Sequence, residues 1–157
     1  MSVDAMAVLS RTFQNTNDLG RKVIQSDAQI VFDQFPDMPL LVKQFPWPVA
    51  TPGDVIEYYG PNGQLMVQPK QVKTKQEGPV AFYETVLGQA SEMLKAYIAN
   101  GAYLDATVYE GRPDDYKRKE DLKNLVLVMD TPDRDWENDA QTLLFQGTLH
   151  FHWFANQ

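Results

Sequence analysis

Leu143–Trp153 limits the possible folds of this chain more than any other stretch. Leu143, Phe145, Gly147, Leu149, Phe151 and Trp153 alternate with Leu144, Gln146, Thr148, His150 and His152, and Phe154 continues the second set. Successive side chains of an extended strand point to opposite faces, so strict period two predicts one long strand. Leu122–Met129 predicts another, with Val126 and Val128 on one face and Leu125, Leu127 and Met129 on the other. Both strands carry apolar groups on both faces. One sheet under one helix cannot cover both sides. The expected fold is therefore mainly β (α+β), a small β-barrel or sandwich with one flanking helix, or a sheet that buries its second face against other subunits.

The rest of the chain reads as shorter pieces. Val3, Met6, Ala7, Leu9 and Phe13 recur near helical spacing before Asn15-Thr16-Asn17-Asp18 breaks the pattern, so residues 1–17 are expected as an N-terminal arm or helix. A strand is expected near 27–34, paired as a hairpin with a second at Leu40-Leu41-Val42. Phe45-Pro46-Trp47-Pro48 cannot continue a central strand, because proline donates no backbone hydrogen bond. Val55–Tyr59 and Gln64–Gln68 flank Gly60-Pro61-Asn62-Gly63, whose Asn-Gly pair signals a hairpin. Residues 70–84 read as extended. Val86, Leu87, Ala90, Met93, Leu94, Tyr97 and Ile98 form a helical stripe over 86–99, with Thr85 as N-cap, Asn100-Gly101 as stop, and Leu87, Leu94 and Tyr97 as core positions. Tyr103–Tyr109 predicts a strand. Residues 110–121 and 130–140 read as polar loops. Without repeats or linkers, 157 residues make one domain.

Composition removes several classes of function. The chain has no cysteine, which excludes disulfides, thiolate catalysis and cysteine-based zinc sites. A net charge of −7 argues against gripping nucleic acid, which needs Lys and Arg to neutralise phosphates. No apolar run reaches the ~20 residues of a membrane helix, and the N-terminus lacks a signal-peptide pattern, which predicts assembly in a cytosol.

The candidate chemical motifs each fail on a stated requirement. His150 and His152 share a strand face, but nothing nearby in sequence supplies a third metal ligand. Asp130, Asp133, Asp135, Glu137 and Asp139 suggest a calcium loop. Counted from Asp133, however, the positions that need glycine and a bidentate glutamate hold Asn138 and Leu144. Asp114-Asp115 lies beside Lys117, Arg118 and Lys119 and reads as a charged contact surface rather than an acid–base pair. Gly60–Gly63 has no lysine and no following helix, so it is not a phosphate loop. Lys70, Lys73 and Lys75 form a basic stripe suited to salt bridges with another subunit. No catalytic residue, metal or cofactor is expected.

The order of these parts resembles the tail-tube proteins of contractile bacteriophages and, through them, the ring-forming tube protein of type VI secretion. The resemblance is carried by the arm Val3–Phe13, the strands Gln29-Ile30-Val31-Phe32 and Leu40-Leu41-Val42-Lys43, and the proline-bearing connection. It continues through Ala81-Phe82-Tyr83-Glu84, the helix 86–99, and the aromatic-rich C-terminal strand with Phe145, Leu149, Phe151 and Trp153. It implies a homohexameric ring whose inner strands close into one continuous sheet. Rings would stack helically through a long hairpin at 45–75 and the arm. Sheath, baseplate and tail-terminator proteins would be the partners. The setting would be the virion tail, assembled in the host cytoplasm, with DNA passing unbound through the lumen during ejection. Candidate contacts between subunits are Phe45, Trp47, Tyr58, Tyr59, Lys70, Lys73, Lys75, Arg112, Lys117, Arg118 and Lys119. The other readings are a type VI tube and a monomeric lipocalin-like barrel that binds a ligand.

Overall fold

The computed structural model describes residues 3–155; residues 1 and 2 of the expected arm lie outside the described residues. In chain order it has α1 (Val3–Asp18), β1 (Gln29–Phe32), a 3-10 turn (Met38–Leu40), β2 (Val42–Gln44), β3 (Val55–Tyr59) and β4 (Leu65–Pro69). These are followed by β5 (Lys75–Tyr83), α2 (Gln89–Ala99), β6 (Leu104–Arg112), β7 (Asp115–Met129) and β8 (Leu144–His152). Six strands form one antiparallel sheet in the order β1-β6-β7-β8-β5-β2, and β3 and β4 form a separate pair. The fold is mainly β, as expected, with two helices. The sheet curls without closing into a barrel. Its curl is visible at Phe32 and Phe82, whose rings lie 6.2 Å apart although four strand steps separate β1 from β5. In a flat sheet that separation would be roughly 19 Å at the usual strand spacing.

Alternation builds the concave side. Leu104, Ala106 and Val108 of β6, Val80 and Phe82 of β5, and Leu149 and Phe151 of β8 point inward with Ile30 and Phe32 of β1. Burying side chains of this size stabilises by about 1.5–3 kcal/mol each. In β7 both Leu122 and Leu125 are buried, which a regular strand forbids. The register slips between Lys123 and Val126, Asn124 has φ 50°, and its N–H donates to Asp105 Oδ1 at 3.0 Å. This bulge switches the inward phase, so Leu125 and Leu127 face the core after it.

The helix α2 covers the concave side through Ala90, Met93 and Tyr97, with Leu94 partly buried. Beyond the start of β6, the Leu127 N–H has no strand partner on that side. It donates to Tyr97 Oη at 2.8 Å. The helix begins three residues later than the stripe predicts. Glu84 Oε1 accepts from the N–H groups of Thr85 (2.9 Å) and Ala90 (3.0 Å). Its Oε2 accepts from Ser91 N–H (3.0 Å) and Oγ–H (2.6 Å). Residues 85–88 must therefore loop out, and the N-cap position falls to Gly88 at φ 75°. Thr85 Oγ1 still accepts from Gln89 N–H at 3.3 Å, outside the cap position. Leu87, expected in the core, sits in that loop and is 79% exposed.

Two more expectations need correction. The strands near 27–34 and 40–42 do not form a hairpin: β1 pairs with β6, and β2 pairs with β5 at the opposite edge. Leu40 lies in the 3-10 turn between them, where Pro39 supplies no N–H for a ladder. Residues 110–121 are not a loop either. Arg112 stands opposite Asp115 across a two-residue turn, and Glu110 stands opposite Arg118. Arg118 Nε donates to Glu110 Oε2 at 2.8 Å. A cross-strand charge pair holds a strand with no apolar alternation to reveal it.

Candidate assembly interface

The Asn-Gly signal is realised in the β3–β4 hairpin. Asn62 and Gly63 both take positive φ, 61° and 73°, and Gln64 N–H closes on Pro61 O at 3.4 Å. Asn62 and Gly63 form a primed turn inside a five-residue connection from Gly60 to Gln64, which Gly60 N–H closes by donating to Gln64 O at 2.7 Å. Val55, Tyr59, Leu65 and Val67 share one face of the pair, and Ile56, Tyr58 and Met66 share the other. Every residue of both strands is exposed. An isolated two-stranded hairpin is marginal in water, and this one is apolar on both sides.

The helix α1 presents a second uncovered surface. Met6, Leu9 and Phe13 recur along one side and are all exposed, as is Val8. Sixteen residues make about four turns and run through the expected break to Asp18. Thr12 Oγ1 donates to Val8 O and Thr16 Oγ1 to Thr12 O, so these hydroxyls bond back within the helix instead of ending it. A third projection is the outer half of the β6–β7 hairpin. From Asp115 to Leu122, β7 pairs with β6 alone, because β8 joins only from Lys123 onward. The edge strands β1 and β2 also keep free backbone groups on their outer sides.

The candidate contact residues distribute unevenly over these surfaces. Tyr58 and Tyr59 lie on β3, Tyr59 being 78% exposed near the tip. Lys70 and Lys73 follow β4 on the stem, and Lys75 opens β5, where it pairs with Glu77 of its own chain at 3.6 Å. Arg112, Lys117 and Lys119 are exposed on the β6–β7 projection, while Arg118 engages Glu110. Trp47 is exposed between buried Pro46 and Pro48. Phe45 is half-buried against the chain's own core. Phe145 packs against the core, and Leu149, Phe151 and Trp153 are within it, Trp153 Nε1 donating to Glu120 Oε2 at 2.9 Å. Sequence reading missed Trp136, fully exposed at the turn of the 130–143 loop, because a lone aromatic in a polar loop carries no period.

The histidines face away from the core. His150 Nδ1 lies 3.2 Å from Glu77 Oε2, and His152 Nδ1 is buried without a hydrogen-bond partner among the described residues. No group of three potential metal ligands converges among the described residues. Asp33, after β1, has its carboxyl raised by burial and by Asp105 and Asp121, against a lowering from Lys123. No helix among the described residues is long and apolar enough to cross a membrane.

The fold is shared with chains of solved cap, sheath–tube and terminator structures. The chain matches the anti-feeding prophage cap, its tube-terminating protein, with a TM-score of 0.55 over 85% of this chain and 89% of that one, at 14% identity. It matches a chain of the PVC sheath–tube complex of an extracellular contractile injection system at 0.52, 12% identity, over 87% and 92%. It also matches a chain of the PVC sheath/tube terminator at 0.54, 13% identity, over 85% and 94%. At such identities the likeness establishes the fold. No protein-family model matches the sequence, and no curated protein matches it significantly.

Proposed function

We propose that this chain is a structural, non-enzymatic subunit of a contractile tail tube. Copies close into hexameric rings, and the rings stack into a hollow conduit inside a sheath. The observation that carries the reading is the β3–β4 hairpin, apolar on both faces and uncovered by its own chain. Only neighbours can bury both sides, and α1 offers a matching uncovered stripe. A ligand-binding barrel fits less well, because the sheet is open and α2 with Phe32, Phe82 and Phe151 fills its concave side. In a phage tail the conduit would pass DNA, and the net charge of −7 suits a wall to which phosphates do not adhere. The site of action would be the virion tail, with sheath, baseplate and terminator proteins as partners.

A tube terminator is the second reading, favoured by similar structures that include a tube-terminating cap and a terminator. A terminator stops at single rings, whereas a tube subunit stacks.

The test is a double variant of the hairpin tip, Tyr59→Asp with Leu65→Asp. The two residues stand opposite each other and are exposed. The purified variant should keep the circular dichroism of the wild type and lose rings and filaments under the electron microscope. Assembly equal to wild type would overturn the proposal that the hairpin joins subunits.

A further inference from the structure

Among the described residues only two polar or charged side chains are buried, Gln76 and Glu110. Glu110 has its ion pair. Gln76 turns its carboxamide entirely to backbone. Its Oε1 accepts from Val49 N–H at 3.1 Å, and its Nε2 donates to Val49 O at 2.8 Å and to Lys73 O at 3.3 Å. Val49 belongs to the leg that leaves the body for the β3–β4 hairpin, and Lys73 to the leg that returns.

Between these points the two legs form a continuous ladder. Lys73 N–H donates to Thr51 O (2.9 Å), Gly53 N–H to Gln71 O (2.8 Å), and Lys70 N–H to Asp54 O (2.8 Å), after which β3 and β4 pair to the tip. At the base the ladder must end. From Lys75 onward the main chain pairs with β8, Gln76 standing opposite Phe151. The Gln76 side chain, whose NH2 donates to the carbonyls of both legs and whose oxygen accepts from Val49 N–H, supplies the rung that the main chain can no longer give. Two residues along the same face, Gly78 leaves room for Pro46; a Cβ there would collide with the proline ring.

We propose that Gln76 is a positioning residue: its amide, with Gly78 as the seat for Pro46, fixes the direction in which the hairpin leaves the body and so where it meets a second copy. The last clause rests on the tube reading; the clamp itself does not. Val49 is 60% exposed, so water can take over its backbone bonds when the amide is removed. The body should then stay folded while the stem loosens.

The experiment is hydrogen exchange on full-length wild type, Gln76→Met and Gln76→Asn under conditions where the protein is unassembled, followed by electron microscopy under assembly conditions. Met keeps the length without the hydrogen bonds. Asn keeps the amide one methylene short, and serves if Met misfolds. Amides of residues 50–73 should exchange at least ~10-fold faster in the variants, with those of β6 and β7 unchanged, and assembly should fall. Unchanged exchange over 50–73 overturns the clamp. Faster exchange with undiminished assembly overturns the positioning role. A wild type that never assembles, with the stem effect intact, refutes the tube reading and leaves the clamp standing.

Discussion

Replacing Glu84 by glutamine keeps the shape of the side chain and changes two of its partners. The native carboxylate accepts from Thr85 and Ala90 on one oxygen and from both donors of Ser91 on the other. An amide must aim its NH2 at one of those sets, leaving two donors unmet. At about 0.5–1.5 kcal/mol for each lost bond, Glu84→Gln should destabilise by roughly 1–3 kcal/mol near neutral pH. For a chain of this size, a loss of about 2 kcal/mol lowers Tm by roughly 4–8 °C. The pH dependence supplies a second check. Burial raises the Glu84 carboxyl, but the hydrogen bonds from Ser91, Thr85 and Ala90 outweigh it and hold the group below its ordinary range. A depressed folded pKa gives stability that is complete above the unfolded pKa and is lost as pH falls through the folded one. Calorimetry of both proteins should therefore show a wide gap in Tm near neutral pH that narrows as the wild-type carboxyl becomes protonated. A variant that melts within about 1 °C of wild type at neutral pH, or a gap that ignores pH, would refute the capping argument.

Tyr97→Phe should cost about 1–3 kcal/mol in urea unfolding, because the buried Leu127 N–H loses its acceptor; an unchanged midpoint would show that α2 is not tied to β7 there. Leu87→Ser should change stability by less than about 0.5 kcal/mol, as befits a side chain in an outward loop, and a loss several times larger would place Leu87 in the core after all.

The parts of the fold that were legible in the sequence are those with a strong period or a turn signal. The C-terminal strand, the β3–β4 hairpin with its Asn-Gly turn, and the Ala90-Met93-Tyr97 stripe all follow from spacing. The start of α2 did not, because the stripe ran on through Leu87 while a carboxylate six residues before Ala90 decided where the helix could begin. The charged strand over 115–121 was hidden for a related reason. Its stability comes from pairing with β6 and from the Glu110–Arg118 contact, neither of which leaves an apolar rhythm. The expected β1–β2 pairing does not form because, although neighbours in sequence are the default guess, these two strands are the opposite edges of the sheet, and its curl lets residues 33–41 connect them without a shared ladder. Of the candidate interface, the hairpin that carries Tyr58 and Tyr59 was readable from its Asn-Gly turn. The role of Gln76 was not, since a single glutamine acquires meaning only once both legs of the stem are in place.

One copy of this chain leaves its β3–β4 hairpin and the apolar stripe of α1 exposed, and the proposed tube buries them against further copies. Negative-stain electron microscopy of the purified wild-type protein tests that most directly. Rings or stacked tubes with a central channel are the predicted result. A monodisperse particle of 17.9 kDa that stays single at high concentration would contradict it.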